Sequence, residues 1–138
     1  MDMQALKKQL EVDELRSKKI YVDTVGKVTG GIGRNLSDRG FSEDEIDLMF
    51  ANDVAEVERQ LDRNIPWWRK LNDARQNVVA NMCFNMGITK LLGFNMTLEL
   101  VKNGRYDAAA SEMMNSKWAT QVGDRAKRLE RIMRTGEL

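Results

Sequence analysis

Two carboxylic acids near the amino terminus, Glu14 and Asp23, carry the most chemistry by type and spacing in this 138-residue chain. Glu14 closes a stripe formed with Leu6 and Leu10 at i, i+4 and i+8, which predicts a first helix. In that helix's last turn, partial desolvation and the negative end of the helix dipole are expected to favour a protonated carboxyl. Asp23 opens Asp23-Thr24-Val25-Gly26, a predicted turn between the β-forming stretches Lys18–Val22 and Lys27–Thr29, where an exposed carboxylate ionises easily. One acid that keeps its proton beside one that loses it suits glycosidic bond cleavage. The first protonates the leaving oxygen, and the second handles the cationic sugar or a water. The plainer alternative makes Asp23 an Asx-turn residue and Glu14 a surface acid; on these two residues alone, both readings stand.

Other chemistries are excluded more firmly. The chain has no histidine, which removes Ser-His-Asp and Cys-His catalysis. Its one cysteine, Cys83, allows no internal disulfide, is too little for a zinc site, and sits in the apolar run VVANMCFNM as a structural thiol. No metal and no cofactor are expected. The glycines at 30, 31 and 33 are followed by Arg34-Asn35-Leu36, without the lysine or third spaced glycine of a phosphate-binding loop. They instead allow a tight turn or a close backbone approach. The net charge of +1 hides an asymmetry, with nine acids and two bases over 38–62 against six bases and two acids over 117–134. The basic end is either a patch for an anionic polymer or a solvated arginine-rich face. It lacks the interleaved aromatics of a single-strand binder, so no nucleic-acid partner is expected. MDMQALKKQLEVDE is polar and mixed in charge, so no signal peptide or membrane anchor is read there, and no stable membrane contact is expected.

The remaining pattern is mostly helical. Ser42 with Glu45 forms a capping-box signature, followed by Ile46, Phe50, Val54, Val57 and Leu61 at helical spacing, ending near Asn64 before the only proline, Pro66. Asp73 is expected to cap a helix running to Met86, apolar on several faces and stopped by Gly87. Shorter helices are expected around Leu98–Asn103, Asp107–Asn115 and Arg125–Arg134. The fold class is α+β, predominantly helical, as one domain over 1–138. A small αβ lobe with its connecting helix takes 14–60, a helical lobe takes 1–13 and 61–138, and a cleft lies between them.

Glu14, eight residues, Asp23, five residues, Thr29 and then Gly31-Ile32-Gly33 resembles the phage-type lysozymes related to the T-even phage enzyme. The likeness continues in the same order through ANMCFNMG (80–87), LLGF (91–94), NSKWATQVGDRAKR (115–128) and RTG (134–136), nearly the whole chain. It implies that Glu14 is the general acid, Asp23 the second carboxylate, and Thr29 a partner of the attacking water, with inversion as the outcome. Arg125 matches the family arginine that pairs with the acid. Asn35, Phe84, Asn85, Thr97 and Gln121 match cleft positions that bind substrate. The glycines would let the second strand pass close beneath the sugar.

The chain departs from the family in three places. Arg34 stands where histidine is common, opposite an aspartate matching Asp53, so an Arg34–Asp53 pair is expected. The segment between Leu36 and Ser42 is short, which leaves a hairpin plus a fragment of third strand. Glu112 replaces a usual polar amide. The resemblance implies an endolysin that hydrolyses the β-1,4 bond between N-acetylmuramic acid and N-acetylglucosamine in peptidoglycan, with glycan strands as its partner and a monomeric state. It would accumulate in the host bacterial cytoplasm and act on the periplasmic wall after release. A lytic transglycosylase and a silent glycan-binding module are the alternatives, and retention of Glu14, Asp23 and Thr29 weighs against both.

Overall fold

In the computed structural model, which describes residues Met1–Leu138, the Asp2 side chain accepts the backbone N–H of Ala5 at 3.0 Å. This caps the first helix, α1 (Met3–Glu14), by occupying one of its unpaired amide groups. The expected stripe does not become a packed seam, since α1 has no buried residue. Strands β1 (Arg16–Val22), β2 (Val28–Ile32) and β3 (Arg34–Asn35) follow as an antiparallel sheet in the order β1-β2-β3. The two-residue β3 is the expected fragment, and a short helix α2 (Leu36–Arg39) takes up the chain after it. No helix is long and apolar enough to cross a membrane.

The helix α3 (Glu43–Asn64) starts where the capping signature places it. Glu45 Oε1 accepts both the Ser42 backbone N–H at 2.8 Å and the Ser42 hydroxyl at 2.7 Å. That is the carboxylate half of a capping box. Only the later part of its stripe is buried. Val57 and Leu61 are enclosed, whereas Ile46 and Phe50 are exposed. A 3-10 segment, Pro66–Lys70, then leads to α4 (Asp73–Met86), whose cap is Asn72 rather than the expected Asp73. Asn72 Oδ1 accepts the Arg75 N–H at 3.0 Å, one residue before the helix proper. Gly87 stops α4 as anticipated, at φ +85°, with its N–H on the Cys83 carbonyl at 2.8 Å.

Five further helices complete the chain: α5 (Ile88–Leu92), α6 (Asn95–Lys102), α7 (Tyr106–Met114), α8 (Lys117–Val122) and α9 (Asp124–Thr135). The chain divides into two compact units, Met1–Met49 and Phe50–Leu138. In the first, only Thr29 and Gly30 are buried. The second holds the hydrophobic core, with Leu61, Ile65, Val78, Met82, Leu91, Val101, Met113 and Met133 nearly inaccessible. Burying aliphatic side chains of this size supplies about 1.5–3 kcal/mol each, so hydrophobic stability is concentrated in the helical unit. α4 is not apolar all round: Val78, Val79, Met82 and Cys83 face the core while Asn77, Asn81, Phe84 and Asn85 are exposed. Arg75 on α4 fixes the far end of α9, donating from Nε to the Met133 carbonyl at 2.8 Å and from Nη2 to that of Arg134 at 3.2 Å.

Candidate active site

Glu14 is the last residue of α1, and the chain leaves the helix through Leu15 at φ 65°, ψ 149°. Leu15 is the only non-glycine residue with positive φ. That backbone region suits essentially glycine alone and costs a branched residue about 1–3 kcal/mol. Leu15→Gly is therefore expected to raise the unfolding free energy by about 0.5–2 kcal/mol, after about 0.5–1 kcal/mol is returned to the freer unfolded chain. Leu15 is 66% exposed, so little burial is lost with its side chain. Equilibrium denaturation checks this, and a drop in stability would mean that the Leu15 conformation carries no strain.

The glycine-rich strand end lies directly against Glu14. A Cβ built on Gly33, at φ +68°, would stand 2.7 Å from Glu14 Cβ and 2.8 Å from Glu14 Oε2. The close approach that the glycines suggested is thus to the candidate acid. Glu14 itself is exposed, which corrects the expectation of a partly desolvated carboxyl. The cause is that α1 buries nothing, so its apolar stripe gives Glu14 no enclosing wall.

Asp23 is the more enclosed of the two acids, half-buried at the hairpin turn. Its Oδ1 accepts the backbone N–H groups of Val25 at 3.0 Å and Lys27 at 2.8 Å. The Asx-turn alternative is therefore realised, but it engages one oxygen only. Oδ2 is left for a ligand, and the turn holds it in place. Thr29, 5% exposed, sits in β2 opposite Tyr21 of β1 and Asn35 of β3. Its hydroxyl donates to the Lys27 carbonyl at 3.0 Å, which leaves the oxygen lone pairs as acceptors.

The β1–β2 register is uneven along the strand that links the two acids. Arg16 and Val22, six residues apart, face Ile32 and Val28, four apart, because the register slips between Ser17 and Tyr21. Four strand steps span about 13 Å, whereas six regular ones would take about 20 Å. This bulge shortens the path between the end of α1 and the hairpin turn. Bulges of this kind bend a strand and tighten its local twist.

Arg34 is ion-paired with Glu45, not with the expected Asp53. The choice follows from the capping geometry, which presents the Glu45 carboxylate at the start of α3. Arg34, together with the Ser42 hydroxyl and N–H, holds the Glu45 carboxyl down at about 2, against an ordinary 4.5. A carboxyl lowered on folding contributes stability at pH values above 4.5, and that contribution fades as pH falls from 4.5 to about 2. Glu45→Gln should therefore melt below the parent at neutral pH, with the two melting curves converging towards pH 2. A gap independent of pH would separate Glu45 from acid unfolding. Asn35 is committed nearby as the cap of α2: its Oδ1 accepts the Asp38 N–H at 3.0 Å and its Nδ2 donates to Asp38 Oδ2 at 2.9 Å.

In the helical unit, the other sequence-predicted positions fall around three depressions. Phe84 and Arg125 border one of about 480 Å³, together with Phe50 and Asn81. Asn85 and Gln121 border a second of about 330 Å³, where Asn85 Oδ1 accepts the Trp118 indole N–H at 2.8 Å. Thr97, 5% exposed, borders a third of about 280 Å³ beside Glu112 and Asn115. Cys83 is 2% exposed and its thiol is pushed up by burial, the opposite of an activated nucleophile. Arg125 donates to Asn81 Oδ1 from Nε at 3.0 Å and from Nη2 at 2.8 Å. Asn81 was not singled out by sequence. Its signal was its place in ANMCFNMG, one helical turn before Phe84 and Asn85 on the same face of α4.

The family model described as phage lysozyme matches residues 12–135. "Probable T4-type lysozyme 1" of Dictyostelium discoideum is 27% identical over 163 aligned positions, covering 97% of this chain and 96% of that protein. "Probable T4-type lysozyme 2" of the same organism is 25% identical with the same coverage. "Pre-baseplate central spike protein Gp5" of Enterobacteria phage T4 is 29% identical over 135 residues, 95% of this chain but 22% of that protein. These relationships support a lysozyme-type glycosidase activity. As the family match runs from α1 through the sheet to the last turn of α9, the chain belongs to the phage lysozyme family.

Proposed function

We propose that the protein hydrolyses the β-1,4 bond between N-acetylmuramic acid and N-acetylglucosamine in peptidoglycan, with inversion at the anomeric carbon. The observation that carries this reading is the pair of acids that flank strand β1: Glu14, at the end of α1, packed on Gly33, and Asp23, in the hairpin turn, anchored through Oδ1 with Oδ2 open. A protonated Glu14 gives its proton to the glycosidic oxygen as the bond to the anomeric carbon breaks. Asp23 Oδ2 and the Thr29 hydroxyl oxygen accept hydrogen bonds from a water on the opposite face of the sugar, and Asp23 takes its proton as oxygen bonds to carbon. Direct attack from that face inverts the configuration. Arg125 serves as the acid-orienting cation, while Phe84, Asn85, Thr97 and Gln121 contact the glycan. Asn35 contributes through α2, since both ends of its amide are held by Asp38.

NMR of a purified muropeptide digest, recorded faster than mutarotation, tests the proposal. The first reducing end formed should be the α-anomer of N-acetylmuramic acid. The β-anomer would indicate retention, and an anhydro end group would indicate cleavage without water. Absence of any new end group would leave a glycan-binding module.

A further inference from the structure

Arg125 differs from the chain's ion-paired arginines at 16, 34, 59, 69 and 134, because its partner is a neutral amide. Two of its five N–H groups, on Nε and Nη2, converge on Asn81 Oδ1. This closes one edge of the planar guanidinium and leaves the edge between Nη1 and Nη2 open. An open fork of this kind matches a carboxylate in bidentate geometry. No other charged side chain borders the depression that the two residues share. The neighbouring charges on α9, Asp124 and Lys127, lie 3.9 Å from each other.

We propose that Asn81 is a positioning residue for the reaction, presetting the Arg125 guanidinium as a receptor for a carboxyl group. The residue type suits the task. An amide oxygen orients the fork as an aspartate would, but it adds no negative charge, so the full cation remains for its ligand. The inference rests on the reading that this ligand is the carboxyl of Glu14, and it assigns to Asn81 the task of fixing the direction from which the cation acts.

Four variants test it: Asn81→Ala, Asn81→Asp, Arg125→Ala and the double variant Asn81→Ala/Arg125→Ala, each checked for native melting behaviour and assayed on soluble muropeptide across pH. Asn81→Ala should lower kcat by about tenfold and leave KM within about twofold, because orientation and not substrate contact is lost. The double variant should be no slower than Arg125→Ala, since Asn81 acts only through the guanidinium. Asn81→Asp restores an acceptor, so kcat should return to within about threefold of the parent. Its added charge should also move the basic limb of the kcat profile upward, as Arg125→Ala does, because a less cationic surrounding lets the acid keep its proton longer. Parental kcat in Asn81→Ala, additive losses in the double variant, or an unmoved limb in Asn81→Asp would each overturn the proposal. A fully active Glu14→Gln would instead defeat the reading beneath it.

Discussion

Glu14→Gln is expected to lower the rate of cell-wall lysis by about 10²–10⁴-fold, the usual contribution of a positioned general acid. Glutamine keeps the shape of the side chain and its contact with Gly33 but has no proton to donate to a leaving alkoxide. Glu14 is exposed and takes part in no ion pair, so its neutral isostere should leave stability within about 0.5 kcal/mol. The check is a turbidity assay on permeabilised Gram-negative cells beside a thermal melt of the same preparation. Lysis above about a tenth of the parent rate with an unchanged melt would remove Glu14 from proton transfer.

The second large effect is expected from one methyl group. Gly33→Ala places a Cβ 2.7 Å from Glu14 Cβ, well inside contact distance, at a backbone φ of +68°. The left-handed conformation alone costs an L-residue about 1–2 kcal/mol. Relief of the overlap must either swing the Glu14 side chain away or open the β2–β3 connection. A displacement of about 1 Å in a catalytic group can cost about 10² in rate, so activity should fall much further than stability. Gly31→Ala separates the two causes, because Gly31 has a similar φ of +62° with nothing within 4 Å of its built Cβ. It should lose comparable stability while retaining lysis. Equal activity losses in the two variants would show that backbone strain, not contact with Glu14, is responsible.

What the sequence by itself determined is local. The start of α3 at Ser42 and Glu45, the stop of α4 at Gly87, the hairpin turn at Asp23 and the buried thiol of Cys83 all follow from residues within a few positions of one another. Cap chemistry and helical periodicity act at that range, and so do the carboxylate spacings that carry the family resemblance. The 3-10 segment Pro66–Lys70 and the helices α2, α5 and α8 escaped because four to six residues are too few to show a period.

Tertiary structure decided which surface each chemical group meets. It placed Glu14 in the open against Gly33 instead of within an apolar wall, and it engaged one oxygen of Asp23 in the turn that presents the other. It gave Arg34 the carboxylate of Glu45 in place of Asp53, and set Arg125 on an asparagine 44 residues away. It also left one side of α4 exposed, although the composition of that helix suggested burial on several faces. Burial, ion-pair choice and hydrogen-bond direction depend on neighbours brought together through space, and the free-energy differences among competing partners are small. An arginine can form the same fork with any nearby oxygen, and only the packed backbone determines which oxygen is within reach.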